Sequence, residues 1–224
     1  MALRPRAAAV RLNLAEALFQ TGLVEAAVAE FGRAAALGDA EVGALALRNI
    51  ACIIPGSAAA DAGAVLAARR RFATTLPGAA TARPAAATPL RGRRLRIGYV
   101  SAFFGARNWM KPVFGVINRH DRDRFEVHLI SLHRDPSAES GYRDHETDVI
   151  WQVAGLGNER LAAEIARAGI DVLIDLNGYS AQERLGLFQL RAAPVQLGWF
   201  NMFATTGMAA FDALIGDDAV LPPE

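Results

Sequence analysis

The stretch IDVLIDLNGYS, residues 170–180, decides how the second half of this chain is read. From Ile170 to Leu176 the apolar residues run almost continuously, interrupted only by Asp171 and Asp175. A strand with one solvated face would alternate polar and apolar residues. A nearly continuous run belongs to a strand buried on both faces, as in a parallel sheet covered by helices.

The same texture recurs on either side. LRIGYVS (95–101), FEVHLISL (125–132), DVIWQVA (148–154), APVQLGW (193–199) and FDALIGD (211–217) read as further strands. Helical segments near 111–119, 158–169 and 182–191 separate them. This alternation predicts an α/β domain with a doubly wound, mostly parallel sheet. Ligands of such sheets bind in the crevice outside the carboxyl ends of the strands. The loops that matter are therefore SAFFGARNWMKP, SLHRDPSAESG, NGYSAQER and FNMFATTG.

Upstream the texture changes. Residues 1–76 are rich in Ala, Leu and Arg and read as an all-α segment. Residues 77–94, PGAATARPAAATPLRGRR, have no periodicity and read as a linker. Residues 95–224 form the α/β domain. In the helical part, the spacing of Ala15, Leu18, Gly22, Ala27, Phe31 and Ala34 suits two antiparallel helices, with Gly22 ending the first. The pattern resembles one tetratricopeptide repeat, with Asp39 where a proline often closes the unit. The alternative is a generic Ala-rich hairpin. Further helix follows, broken at Pro55-Gly56.

The bulk properties narrow the function classes. With 224 residues, 52% hydrophobic content and a formal net charge of +1, the chain has neither the basic excess of a nucleic-acid binder nor an acidic bias. Its one cysteine, Cys52, excludes an internal disulfide framework and fits a reducing compartment. The start of the chain lacks the uninterrupted apolar core of a signal peptide, and no run reaches the roughly 20 residues of a membrane span. The expectation is a soluble cytoplasmic protein without nucleic-acid or membrane partners.

The candidate chemistry is sparse. The loop after the first strand contains only Gly105 and lacks the dinucleotide fingerprint. Arg107 and Lys111 either meet an anion at the following helix start or are two solvated charges. Trp109 and Met110 either line that loop or pack beneath it. His120, His128, His133 and His145 show no ligand spacing, so no metal site is expected. Asp175 and Asp217-Asp218 stand at strand ends, where they are either general bases or, respectively, a buried hydrogen-bonded group and a turn cap. Neither GYS nor GMA gives a nucleophile elbow. The arginines at 91, 93, 94 and 96 read as a solvated positive approach to the first strand, because no aromatic residues interleave them for base stacking.

LRIGYVSAFFG, DRDRFEVHLISL, and the run from AGIDVLIDLNGYS through APVQLGWFNMFATTG to the end together resemble the first catalytic lobe of the O-GlcNAc transferase / SPINDLY glycosyltransferases. The resemblance covers about residues 10–224 and is strongest from 170 onward. It implies the first lobe of a two-lobed GT-B fold behind a tetratricopeptide-like segment. It also implies transfer of GlcNAc or a related sugar from a nucleotide donor such as UDP-GlcNAc to Ser or Thr of protein acceptors, with no cofactor. The implied donor-binding residues are Arg107, Lys111, Asn201, Thr205, Thr206 and Gly207, with Tyr179, Phe200 and Phe203 lining the cleft.

Three departures from the family's pattern qualify that implication. Arg107 and Lys111 stand where the family has histidines, in FGARNWMKP, and a guanidinium cannot act as a base near neutral pH. Phe200, Asn201, Met202 and Phe203 replace the family's Leu, Gly, Tyr and Pro, which is compatible with a loop covered by a second lobe. The chain also stops at LPPE, where the family continues into that second lobe and its leaving-group cation. The general base is unassigned. Two other readings stay open: a non-catalytic interaction module with a degenerate sugar-binding lobe, and a different nucleotide-sugar enzyme of the same fold.

Overall fold

Asp39 and Asp61 each start a helix in the N-terminal part, and the reason is local. Their carboxylates accept the backbone N–H of Val42 (2.9 Å) and Ala64 (2.7 Å), satisfying donors that the first turn leaves free. The computed structural model describes residues 4–78, 89, 92–201 and 204–219. It divides into two units: Met1–Leu76 with Phe203–Met208, and Pro77–Met202 with Ala209–Glu224.

The first unit contains α1 (Arg4–Gln20), α2 (Val24–Ala35), α3 (Ala40–Ile53) and α4 (Ala62–Ala73), with a 3-10 turn at Ile54–Gly56. The expected break at Pro55-Gly56 is this turn. Ala15, Ala27, Ala34 and Ala46 are fully buried and let the helices approach; Phe31 fills the space between them. The position that a proline often occupies is held by the α3 cap, Asp39. Glu30 is buried on α2 and pairs with Arg11 of α1 at 2.7 Å and with Arg33. The Arg11 hydrogen bond helps to hold its carboxyl below the usual range.

The second unit is the expected parallel sheet. Its strands are β1 (Leu95–Ser101), β2 (Phe125–Ser131), β3 (Val149–Gln152), β4 (Val172–Asp175), β5 (Val195–Gly198) and β6 (Ala213–Leu214), in the order β3-β2-β1-β4-β5-β6. All the pairings are parallel. Helices α5 (Lys111–Ile117), α6 (Asn158–Ala168) and α7 (Leu185–Gln189) cover it. Alternate residues of each strand feed two cores. Val100, Ile130 and Leu173 face Leu161 and Ile165 of α6 and Leu187 and Phe188 of α7. Tyr99, Leu129 and Ile174 face Val113, Phe114 and Ile117 of α5. Covering both faces requires the continuous apolar runs, and each such side chain contributes about 1.5–3 kcal/mol of burial.

Three sequence expectations change. The strand expected over 211–217 shrinks to two paired residues, because the Asp212 carboxylate turns to Arg191 (Nη1, 3.0 Å) and accepts the Gln196 N–H (2.8 Å). The helix expected over 182–191 begins as a 3-10 segment at Gly178, kinks at Ala181, and continues as the short α7. Arg93 and Arg94 before β1, and Arg96 within it, are anchors rather than solvated charges. Arg93 forms a two-pronged pair with Asp171 (2.7 Å each), Arg94 donates to Arg122 O (3.2 Å), and Arg96 donates to Ala168 O (2.9 Å). Arg91 lies outside the described residues. Among the described residues no helix is long and apolar enough to cross a membrane.

Candidate functional site at the carboxyl edge of the sheet

In this strand order the crossovers reverse direction between β1 and β4, which are neighbours in the sheet. The loops leaving these two strands therefore diverge, and the crevice between them is where doubly wound sheets hold ligands. Here that crevice is lined by the loop after β1 (102–110), the 3-10 segment after β4 (Gly178–Arg184), and the start of the loop after β5 (199–201).

Backbone-directed polar side chains tie the three loops together. Asp175 ends β4 almost fully buried and accepts N–H bonds from Asn177 (2.9 Å) and Gly178 (3.1 Å). Burial pushes its carboxyl up to about 6, against the opposing pull of those N–H donors. Asn177 Oδ1 then accepts the N–H of Ala102 (2.7 Å), bridging the β4 loop to the β1 loop across the reversal point. Asn177 Nδ2 is buried with no hydrogen-bond partner among the described residues. Ser101 Oγ, also buried, accepts the N–H of Phe103 (2.9 Å). Asn201 Nδ2 donates to Leu176 O (2.8 Å), which attaches the β5 loop.

An aromatic group stands on this polar frame. The Trp109 ring lies 4.4 Å from Phe103 and 6.3 Å from Phe200, and Phe200 lies 6.3 Å from Trp199. Trp109 is 41% exposed, whereas Met110 beside it is fully buried. Phe200 holds φ at +70°, a region that costs a bulky residue about 1–2 kcal/mol. Such conformations persist where surrounding contacts over-determine them, and they cluster at functional sites.

The structure distributes the expected site residues differently from the sequence reading. Tyr179 and Asn201 are buried in the crevice wall, and Phe200 is half-buried there. Arg107 and Lys111 do not converge on one anion. Arg107 pairs with Glu139 at 2.8 Å in an exposed ion pair. Lys111 lines a separate cavity with Arg119 and Arg143. Thr205, Thr206 and Gly207 belong to the helical unit. There the Thr205 carbonyl accepts a 2.7 Å bond from the buried Arg69 of α4. Both threonine hydroxyls bond within the turn, Thr205 Oγ1 accepting from Gly207 N and Thr206 Oγ1 from Met208 N. Met202 and Phe203 lie outside the described residues.

Two of the carboxylates weighed as bases have structural roles. Asp175 is spent on the loop frame, and Asp217 Oδ1 accepts Ala219 N (3.0 Å) as a turn cap. His120 bonds the Tyr99 hydroxyl at 2.6 Å. His128 sits between Glu126 and Trp151, at 2.9 and 3.0 Å. Among the described residues no group of three His, Cys, Asp or Glu could hold a metal. Asn177 was missed in the sequence, although Asp175-x-Asn-Gly after a strand carries the signal of a side-chain-closed turn.

A family model described as glycosyl transferase family 41 matches residues 78–224. The chain is 33% identical over 133 residues to a Caenorhabditis elegans UDP-N-acetylglucosamine–peptide N-acetylglucosaminyltransferase, covering 58% of this chain and 12% of that protein. It is 32% identical over 131 residues to the probable Arabidopsis thaliana enzyme SEC, covering 58% and 13%. Among solved structures, an O-GlcNAc transferase mutant of Thermobaculum terrenum superposes with a TM-score of 0.79 at 32% identity, over 99% of this chain and 42% of that one. The chain thus spans about an eighth of the curated relatives it matches.

Proposed function

The chain belongs to glycosyl transferase family 41, and on that premise we propose that it forms the first lobe of a protein O-glycosyltransferase. The reaction proposed is transfer of GlcNAc, or a related sugar, from a nucleotide-sugar donor to Ser or Thr of protein acceptors. The acceptor oxygen bonds to the anomeric carbon, the bond to the diphosphate oxygen breaks, and the hydroxyl proton passes to a base. The observation that carries this reading is the extent of the likeness to a solved O-GlcNAc transferase, which covers 99% of the chain rather than one motif. That extent favours an enzyme over a degenerate interaction module.

In this reading the crevice at the β1/β4 reversal holds the reacting groups. Asp175, Asn177 and Asn201 position its loops, and Trp109 and Phe200 supply an apolar wall that excludes water. Charge develops on the leaving diphosphate, where preorganised cations stabilise the transition state most. Arg107 can supply part of that charge only by releasing Glu139. The remainder is assigned to a second α/β lobe of the kind the family carries. We place the protein in the cytoplasm, with no metal or cofactor, and read the helical unit as tetratricopeptide-like.

The test is a transfer assay on the full-length polypeptide with sugar-labelled UDP-GlcNAc and protein acceptors. Label linked to Ser or Thr is expected, and Asn177→Ala should lower kcat/KM at least tenfold. Donor hydrolysis without protein label, or sugar delivered only to small molecules, overturns the proposal. Two variants read the role of Arg107: Arg107→Ala should weaken donor binding, and Glu139→Ala should tighten it by freeing the guanidinium. If neither moves it, the pair is a surface tether.

A further inference from the structure

We propose that Arg69 of α4 is a positioning residue for nucleotide-sugar binding: it holds the Thr205–Gly207 turn in the shape that presents the Thr205 hydroxyl to the donor. That role rests on the glycosyltransferase activity proposed for the chain, and it gives a helix of the helical unit a part in donor binding.

The turn lies in the loop that leaves the carboxyl end of β5, the strand next to β4. Loops at that edge hold the ligands of doubly wound sheets. Its residues from Ala204 to Met208 nevertheless belong to the helical unit. Ala204 packs against the helical core. At Gly207 the loop comes so close to α4 that an added Cβ would lie 2.8 Å from the Arg69 carbonyl carbon and 2.9 Å from Arg70 N. The two backbones therefore touch there.

Arg69 supplies the polar half of this contact. It is only 3% exposed, and a charged side chain at that depth requires hydrogen-bond partners. Nη1 donates to Thr205 O at 2.7 Å and Nε to Ala51 O at 3.3 Å. Ala51 stands in the last turn of α3, and the residue four positions on is Pro55, which has no N–H. The Ala51 carbonyl thus lacks a helical partner, and Arg69 supplies one. One planar guanidinium joins the end of α3, the body of α4 and the loop. A lysine, with a single nitrogen, cannot reproduce that fork.

The turn leaves one hydroxyl for a ligand. Thr206 is buried, and its Oγ1 accepts Met208 N (3.1 Å) and donates to Met208 O (3.4 Å). Thr205 is half-buried. Its Oγ1 accepts Gly207 N (3.2 Å), and its own O–H has no acceptor among the described residues. That proton can go to a phosphate or sugar oxygen of the donor, and a phosphate oxygen makes the stronger, charge-assisted bond. Where the hydroxyl stands depends on the peptide at Thr205, whose carbonyl Arg69 holds.

Steady-state kinetics of the full-length polypeptide with UDP-GlcNAc test this, with circular dichroism verifying the fold of each variant. Arg69→Met keeps a buried stem and removes both hydrogen bonds. It should raise the donor KM at least fivefold and leave the acceptor KM within twofold. Arg69→Lys, which can still donate to Thr205 O, should fall between Arg69→Met and the parent. Arg71 is exposed on the same helix, so Arg71→Met should change neither constant. Thr205→Val should raise the donor KM as well. The double variant should be no worse than the worse single one, because both changes remove the same donor contact. Hydrogen exchange at the Gly207 and Met208 amides should quicken in Arg69→Met, since their acceptors belong to the released turn. Should Arg69→Met fail to fold, Arg69→Lys decides alone. The role is overturned if folded variants keep the parent donor KM, if donor and acceptor KM rise alike, or if the two single effects multiply in the double variant. A parent polypeptide that transfers nothing from UDP-GlcNAc overturns the glycosyltransferase reading and this role with it. An active parent with indifferent Arg69 variants overturns the role of Arg69 alone.

Discussion

Gly207→Ala should be the most damaging single-methyl addition in the helical unit. Gly207 holds φ at +70°, and a Cβ there would sit 2.5 Å from Arg69 Cβ, 2.8 Å from the Arg69 carbonyl carbon and 2.9 Å from Arg70 N. Two of those three atoms are helix backbone and cannot swing away. The left-handed conformation costs an L-residue about 1–2 kcal/mol. Forced overpacking of a close contact adds about 1–3 kcal/mol. The expected loss is therefore about 2–5 kcal/mol, a large share of a typical total of about 5–15 kcal/mol. The displacement would also strain the 2.7 Å bond from Arg69 to Thr205 O. Two controls separate conformation from space. Gly22 has φ at +81° with nothing within 4 Å, so Gly22→Ala should lose only the conformational part, about 1–2 kcal/mol. Gly115 is helical with room for a methyl, so Gly115→Ala should gain about 0.5–1 kcal/mol. Urea unfolding followed by circular dichroism measures all three. If Gly207→Ala loses no more than Gly22→Ala, the close approach of α4 is wrong and the loop lies elsewhere.

Arg122→Ala should destabilise the α/β unit by about 3–5 kcal/mol, because it strands Asp148, whose side chain is fully buried and held by two Arg122 bonds at 2.7 and 2.8 Å. Chemical unfolding checks this, and a loss below about 1 kcal/mol would mean that Tyr142, 3.0 Å from Asp148, satisfies the carboxylate without help. Stability should also depend on pH in two opposed ways. Burial lowers the pKa of His120 and His128, so their contribution is complete above the ordinary histidine value near 6.5 and is lost as pH falls below it. Asp175 is raised to about 6, so its contribution is complete below the ordinary 3.8 and is lost as pH rises to about 6. Unfolding midpoints across pH 4–8 should show both, and Asp175→Asn should remove only the second; an unchanged profile in that variant refutes the buried carboxylate.

The sequence alone determined the architecture because the architecture is written in local patterns. Continuous apolar runs placed the strands within a few residues and made them parallel, since only a sheet covered on both faces needs them. Small residues at helical spacing marked the contacts of α1 and α2, and Gly22 marked where α1 stops. That strand order reverses somewhere, and that loops at the carboxyl ends matter, also followed. What the charged residues do was decided by tertiary structure. Arg93 meets Asp171 across 78 positions, and Arg69 meets Thr205 across 136. Arg107 finds Glu139 instead of an anion, and Arg119 folds back to donate to the carbonyl of Gly115. Asp175 titrates high only because the sheet and its own loop enclose it. A side chain's near neighbours are set by helical and strand periods of a few residues. Its distant partners depend on crossover direction and strand order, which no short window contains.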